Sequence, residues 1–490
     1  MPQQMEFAAF QVGNIAAFEQ SFSAEGFTDF AKLSGDYNPL HHDASYAADS
    51  EFGRPIVPMH MTIAPMSRIA GMIFPGDPSL YVSHEVRSIL PVFYGETLTY
   101  SARITAVNES LLTLTIRVLV LRGVEVVMDA QMRVMSRLAS WVPRNARPDL
   151  APARAAALVT GATGEIGTAL ALNLARRGHD LVLVDRGEGS KRDALAAVLG
   201  NVTTSGQCVD FIAADLGRPA DVGALCKTLS ARGDVTSVFH SASPPLNASL
   251  ADLVLVNYAA LQQISQAVLP AMLLRQQGVL ANVGSVATER VIPGWHHYAA
   301  AKAMAGQFLS AFDKSNSEFG VRGLTILSGL VATAYSASAQ GNAPAMVPQE
   351  LAEAITQIAL DDRAGRAVIV EWNGQRAGAV GFHENRASRA PVATTAPVAG
   401  AVVAPVAAGN TGGLEPQIAG VLRARFNLSA DADLSDGGVG KTPGWDSLRH
   451  IELVLHLEEI FGIRYSAGDV EKMLTYQSLV SVTRARVDAD

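Results

Sequence analysis

Residues 155–185, AAALVTGATGEIGTALALNLARRGHDLVLVD, decide the fold of the middle of the chain. An apolar run ending at Thr160 enters a turn that carries Gly161, Gly164 and Gly167. A stretch with apolar residues at helical spacing follows, and a second apolar run ends at Asp185. Strand, glycine turn, helix and strand in this order make a βαβ unit. Both strands are apolar throughout rather than alternating, as burial on both faces of a parallel sheet requires. The rhythm recurs to about residue 380, so residues 155–384 are expected to form an α/β domain, a doubly wound parallel sheet covered by helices.

Towards the N-terminus the texture changes. Leu98, Tyr100, Ala102 and Ile104, then Leu112, Leu114, Ile116, Val118 and Val120, alternate with more polar neighbours and predict two long antiparallel strands. Ahead of them Ile56 to Ile73 is nearly uncharged and apolar enough for a buried helix, with a kink at Pro65. Residues 1–140 are therefore expected to be an α+β domain in which long strands wrap one helix, and the Pro/Arg-rich segment 141–154 a linker. Beyond the α/β domain, residues 385–413 are rich in Ala, Pro and Val and read as an extended tether of about 3 Å per residue. Ile418, Val421, Leu422 and Phe426, then Leu448, Ile451 and Leu455, recur at helical spacing, so residues 414–490 predict a small helical bundle. This tail carries 12 acidic and 8 basic side chains.

A length of 490 residues at about 150 per domain agrees with three domains. Hydrophobic residues at 49% and charged residues at 17% exclude a disordered chain. The net charge of -8 argues against nucleic-acid or anionic-membrane partners. Cys208 and Cys226 are the only cysteines, so neither a disulfide framework nor a thiolate metal site is expected, and no metal is assigned. The N-terminal MPQQMEFAAFQVG lacks a basic region and apolar core, and Pro391, Pro397 and Pro405 interrupt the weakly polar stretch 390–409. A cytoplasmic location without a membrane span is the expectation.

The glycine turn opens a helix, where unspent N–H groups and the helix dipole favour a pyrophosphate, so a dinucleotide is expected there. Lys302 lies four residues beyond Tyr298 and projects from the same helical face. An ammonium beside a phenol, whose ordinary pKa is about 10, would ease its ionisation and let it exchange a proton with a carbonyl oxygen. Ser285 could hydrogen-bond the same oxygen.

With Asn257 upstream, this stretch resembles the short-chain dehydrogenase/reductase family over about residues 155–380. The resemblance implies a Rossmann fold and a tetrad of Asn257, Ser285, Tyr298 and Lys302, Asn257 holding a water that relays protons to the lysine. It implies cofactor contacts from Gly161, Gly164, Glu165, Ile166, Gly167, Asp185, Asp215, Leu216, Tyr298, Lys302 and Thr333. The sequence departs from the family at His240, Ser241, Ala242 and Ser243, where Asn-Asn-Ala-Gly is usual, at Ser328-Gly329, where Pro-Gly is usual, and at Glu165, which replaces a glycine. Asp185 would accept from both ribose hydroxyls and favours NAD, whereas Arg186 could pair with a 2′-phosphate and favours NADP; the reading leans to NAD.

In SGDYNPLHHD, residues 34–43, Asp36 and His41 stand five residues apart across an Asn-Pro turn. A carboxylate and an imidazole sharing one water can remove one proton while delivering another, as the addition or elimination of water at a conjugated thioester requires. GDYNPLH, RPIVPMHMTIAPMSRIAG and RSILPVFYGETLTYSARI resemble the MaoC-like, (R)-specific enoyl-CoA hydratase group of hot-dog folds over about residues 20–137. The resemblance implies a dyad of Asp36 and His41 with Asn38 in support. Pro58-Met59 stands where that family has His-Gly, leaving a backbone donor at Met59 for the thioester oxygen.

GWDSLRHIELVLHLEEIFGI, residues 444–463, puts Ser447 at the start of an amphipathic helix, where a phosphodiester would be favoured. This stretch resembles an acyl carrier protein, which implies a four-helix carrier bundle with 4′-phosphopantetheine on Ser447, installed by a separate phosphopantetheinyl transferase. Together the resemblances imply a multifunctional enzyme of fatty-acid or polyketide-type biosynthesis. A 3-oxoacyl thioester would be reduced and then dehydrated to a trans-2-enoyl thioester, on its own carrier or a partner's, with tethering raising its concentration to about millimolar. A ketosynthase or other condensing enzyme would act in trans, and a homo-oligomer is implied. Two alternatives stay open: hydration followed by NAD-dependent oxidation, and a carrier scaffold with inactive catalytic domains.

Overall fold

The computed structural model describes residues 5–142, 155–336, 345–360, 367–372, 377–382 and 414–488, except 188, 291, 427, 430, 431, 436, 440, 443, 444, 446, 464 and 471. The tether at 385–413 and all but the first two residues of the 141–154 linker lie outside the described residues.

The N-terminal domain is a five-stranded antiparallel sheet of β1 (Ile15–Ser21), β2 (Ser79–Ser88), β3 (Thr97–Asn108), β4 (Thr113–Arg122) and β5 (Glu125–Ser136), in the order β1-β3-β4-β5-β2. Leu98, Tyr100, Ala102 and Ile104 of β3, and Leu114, Ile116, Val118 and Val120 of β4, are completely buried, as their alternation predicts. They enclose the central segment through Met66, Ile69 and Ile73. That segment is not the continuous helix expected over Ile56–Ile73. Ile56 pairs with Phe93 as an isolated bridge, helix runs only over Met59–Ile63 and Met66–Arg68, and Ile69–Ile73 is a π turn. Pro65 supplies no N–H to continue the ladder, so the chain breaks there rather than bending.

The central domain is an eight-stranded sheet: β6 (Ala156–Thr160), β7 (Asp180–Asp185), β8 (Val209–Ala213), β9 (Val235–His240), β10 (Gly278–Ser285), β11 (Val321–Ser328), β12 (Ala367–Trp372) and β13 (Ala377–Phe382). Its order is β8-β7-β6-β9-β10-β11-β12-β13. β8 to β12 pair in parallel, while β13 returns antiparallel to β12, which corrects the all-parallel expectation at one edge. The strand order reverses between β6 and β9, where a doubly wound sheet opens its ligand crevice.

These two domains share a core. Leu119, Leu121 and Val126 of the N-terminal sheet lie in one apolar cluster with Leu273, Leu309, Phe319 and Val321. Gln276, buried with a left-handed φ of 51°, donates to the carbonyls of Ser101 (3.0 Å) and Arg117 (3.2 Å). Arg103 in return donates to the carbonyls of Arg275 and Gln276. The C-terminal residues form helices Leu414–Phe426, Ser447–Phe461, Ala467–Val470 and Tyr476–Val487 around Ile418, Leu422, Trp445, Leu453, Leu457 and Leu479.

Candidate functional sites

A cleft of about 860 Å³ lies across the carboxyl ends of the central strands. Gly161, Gly164, Glu165, Ile166, Gly167, Asp185, Asp215, Leu216, Ser285, Tyr298, Lys302 and Thr333 all line it. The turn needs its glycines: Gly161 has φ +68°, and a Cβ on Gly167 would meet the Gly161 carbonyl oxygen at 2.1 Å. Gly164 caps the helix Glu165–Arg176 without a side-chain bond, so the first helical N–H groups are not spent on a cap. Together with the cleft's size, this fits a dinucleotide whose pyrophosphate sits on that turn.

Glu165, expected among the cofactor contacts, sends its carboxylate across to accept from the Ala334 N–H at 2.8 Å, tying the glycine turn to the Thr333 turn. Asp215 turns its carboxylate to the Gly217 N–H. Asp185 is not the open acceptor that the sequence suggests. Its side chain is only 1% exposed, and Arg192 grips it twice, Nη2 to Oδ1 at 2.9 Å and Nε to Oδ2 at 3.2 Å, while the Gly187 N–H donates to Oδ1. Arg186 and Lys191 line the same end of the cleft.

At the opposite end, Tyr298 and Lys302 project together from the helix His296–Asn316, and Lys302 Nζ stands 5.8 Å from the Tyr298 ring centroid. The expectation of an acidified phenol is corrected here. Burial pushes the Tyr298 hydroxyl well above its ordinary value, with Tyr335 adding to the rise and a hydrogen bond with Ser285 opposing it. Burial likewise lowers the Lys302 ammonium to about 7, where it donates to the Val283 carbonyl at 2.8 Å. The phenol and ammonium are near each other, but desolvation sets the direction of both shifts.

Lys302 thereby imposes a pH dependence. It sheds its proton near 7 in the folded chain and near 10.5 when unfolded, so between those values the unfolded state holds the extra proton and stability rises with pH. Melting temperatures of the unliganded chain are expected to climb from about pH 7 to about pH 9. The rise should vanish in Lys302→Met; parallel curves for the two proteins would refute the assignment.

Asn257 is completely buried in a π turn, Leu255–Ala259. Its Nδ2 donates to the Leu253 carbonyl, while among the described residues its Oδ1 has no hydrogen-bond partner. A buried acceptor of this kind suits an ordered water. His240, at one of the departures, explains itself: fully buried, it bridges the Thr160 hydroxyl (2.9 Å) and the Val256 carbonyl (3.0 Å), fastening the π turn to the sheet. Sequence reading missed the apolar wall of Leu246, Ile292 and Trp295, which lines the cleft beside Tyr298.

The second site lies in the N-terminal domain. His41 ends the 3₁₀ turn Pro39–His41, in which the Leu40 N–H donates to the capping Asn38 Oδ1. Asp36 Oδ1 accepts from the Asn38 N–H at 3.1 Å, so Asn38 holds both partners in place. His41 Nδ1 lies 2.9 Å from the Ile56 carbonyl and Nε2 lies 3.8 Å from Asp36 Oδ2. A carbonyl only accepts, so Nδ1 carries the proton and Nε2 of the neutral ring offers a lone pair. At 3.8 Å the ring and carboxylate converge without bonding each other, leaving both free to act on a third group. His42 is turned away, against Phe27 and the Tyr37 carbonyl. Met59 begins the Met59–Ile63 helix, and as a first-turn N–H its donor is not used by the helix ladder. Tyr94 was not found from sequence: its hydroxyl is buried without a partner among the described residues, and burial followed by the Asp36 charge pushes it up to about 12.

Ser447 is the first residue of its helix. Among the described residues there is no cluster of metal-ligating side chains, and no helix long and apolar enough to cross a membrane.

Comparison with known proteins matches two segments of the chain. Residues 18–121 match the MaoC like domain family and residues 155–343 the short chain dehydrogenase family. An (R)-specific enoyl-CoA hydratase from Aeromonas caviae is 36% identical over 116 residues, 23% of this chain and 87% of that protein. A very-long-chain 3-oxoacyl-CoA reductase from Mycosarcoma maydis is 31% identical over 171 residues, 33% of this chain and 48% of that protein. The chain thus spans about half the length of that reductase. A solved short-chain dehydrogenase from Sphingobium yanoikuyae in complex with NADPH is 29% identical, covering 44% of this chain and 87% of its own, with a TM-score of 0.40. The chain belongs to the MaoC-like hydratase family through its N-terminal domain. It is a fusion of that domain to a short-chain dehydrogenase/reductase domain. The helical unit 414–488 lies beyond both matched segments.

Proposed function

We propose that the two sites act in succession on one acyl thioester, the central domain interconverting 3-oxoacyl and 3-hydroxyacyl groups and the N-terminal domain interconverting 3-hydroxyacyl and trans-2-enoyl groups. The observation that carries this reading is the pairing in one chain of a Tyr298–Lys302 site with an Asp36–His41 site, because a 3-hydroxyacyl thioester is the product of one chemistry and the substrate of the other. A reduced nicotinamide would supply the hydride. Tyr298 gives its proton to the carbonyl oxygen, Ser285 holds that oxygen, and Lys302 with a water on Asn257 Oδ1 returns a proton to Tyr298. In the other site, His41 and Asp36 take the C2 proton and protonate the departing C3 hydroxyl, so one water leaves. The wall of Leu246, Ile292 and Trp295 suits an acyl chain. In the biosynthetic direction, Ser447 would bear 4′-phosphopantetheine and carry the acyl group, with a transferase and a condensing enzyme as partners.

Intact-mass analysis of pantetheinylated protein loaded with a 3-oxoacyl group and given NADH or NADPH tests the order. A gain of two hydrogens and then a loss of water is expected. No change with either coenzyme, on tethered or coenzyme A-linked substrate, would favour the inactive scaffold.

We infer that both coenzymes are accepted. Asp185 would repel a 2′-phosphate only as a net charge, and Arg192 neutralises it while Arg186 and Lys191 line the same end. Removing Arg192 should restore the repulsion: in fluorescence titrations Arg192→Ala is expected to weaken NADPH relative to NADH by about tenfold, or about 1.4 kcal/mol. An unchanged ratio would show that Arg192 has no part in coenzyme choice.

A further inference from the structure

The turn joining β3 to β4, residues 108–112, carries two features that the N-terminal domain alone does not account for. Leu111, at the tip of a hairpin, is only 8% exposed and belongs to the apolar cluster of the C-terminal helical unit, which holds Ile418, Leu453 and Leu457. Asn108 accepts from the Leu111 N–H at 3.0 Å and offers its Nδ2 to Glu458 at 3.2 and 3.5 Å. Glu458 is in turn an acidic side chain only 3% exposed, whose Oε1 also accepts the Tyr465 N–H at 2.7 Å. A buried carboxylate is stabilised by each such donor, and a leucine at a turn gains by leaving water.

We propose that the turn 108–112 is a docking surface for the chain's own C-terminal helical unit, with Leu111 as its apolar anchor and the Asn108–Glu458 hydrogen bond setting the register. Among the described residues the contact is built on one leucine and one polar pair. Set against a tethered partner at an effective concentration of about millimolar, it holds the unit reversibly. It also grips the helix Ser447–Phe461 by its far end. Glu458 is eleven residues from Ser447, about 16 Å along the helix axis, so the docked contact leaves the Ser447 end outside it. Docking does not depend on what Ser447 carries. Its meaning as a resting position, from which a loaded arm departs, rests on the carrier reading.

Small-angle X-ray scattering and hydrogen exchange on the full chain test it. Leu111→Asp and, separately, Asn108→Asp, which keeps an acceptor for the Leu111 N–H and sets a carboxylate against Glu458, should raise the radius of gyration and speed exchange in peptides covering 453–465, by about tenfold for Leu111→Asp. Exchange in β5 and in the central domain should stay unchanged. Equal scattering and equal 453–465 exchange in wild type and both variants would overturn the proposal. Should Leu111→Asp disturb β5, the Asn108→Asp comparison decides alone. Pantetheinylation of Ser447, read by intact mass, is a separate result: its failure removes the carrier reading and leaves the docking measurement standing.

Discussion

Replacing Tyr298 with Phe is expected to lower ketoreduction by about 10²–10⁴-fold, the range of a lost general acid. Phe retains the ring that packs edge-on to Trp295 at 5.7 Å and beside Tyr335 at 6.4 Å, so the cleft should keep its shape. What disappears is the hydroxyl beside Ser285 and the only proton that Tyr298 can give. Coenzyme affinity should change by less than about twofold, because the glycine turn and the Asp185 end are untouched. Hydration of an enoyl thioester by the same protein should be unaffected. Retention of more than about a tenth of the reductase rate would rule out Tyr298 as the proton donor. The burial of Tyr298 and Lys302 adds a condition. Desolvation favours the neutral form of both, and an anionic ligand beside Lys302 would favour its charged form. The pH at which ketoreduction falls on the alkaline side is therefore expected to lie above the value near 7 that governs the stability of the protein alone.

What could be read from sequence is what local spacing encodes. The glycine turn lies between a fully apolar strand and a helix because both are contiguous in the chain, and Tyr298 and Lys302 share a face because they are one helical turn apart. Asp36 and His41 meet because Asn38 caps the intervening turn. The alternation in β3 and β4 likewise marks the face buried on the central segment, but not Leu119 and Leu121, which are buried against the central domain. Contacts between distant segments were not legible. Arg192 reaches Asp185 from the helix Gly189–Gly200, and nothing in VDRGEGSKR distinguishes a residue that lines the cleft from one that neutralises its carboxylate. The π turn at Asn257 depends on His240, seventeen residues earlier, filling the space that a smaller side chain would leave. Burial shifts the Tyr298 hydroxyl opposite to the direction its spacing from Lys302 suggests, because spacing reveals the partner and says nothing of how much water surrounds it.

That distinction bears on the neighbouring site, where both reacting groups keep access to solvent. Asp36 has a side chain 41% exposed and His41 one 12% exposed, so water can reach the dyad that must add or remove it. Asp36→Asn retains the side chain's size and the carbonyl oxygen that can accept the Asn38 N–H, which preserves the turn. It loses the capacity to take and return a proton. Hydration and dehydration are expected to fall together by about 10²–10⁴-fold, since one pair of groups serves both directions. His41→Ala should cost a similar factor. The double variant should be little slower than either single one, because a dyad that acts on one water fails when either member is lost. With a 3-oxoacyl substrate and coenzyme, the Asp36→Asn protein should gain two hydrogens and stop, accumulating the 3-hydroxyacyl thioester. Loss of water at the wild-type rate would place the chemistry elsewhere. Additive losses in the double variant would instead mean that Asp36 and His41 act on separate steps.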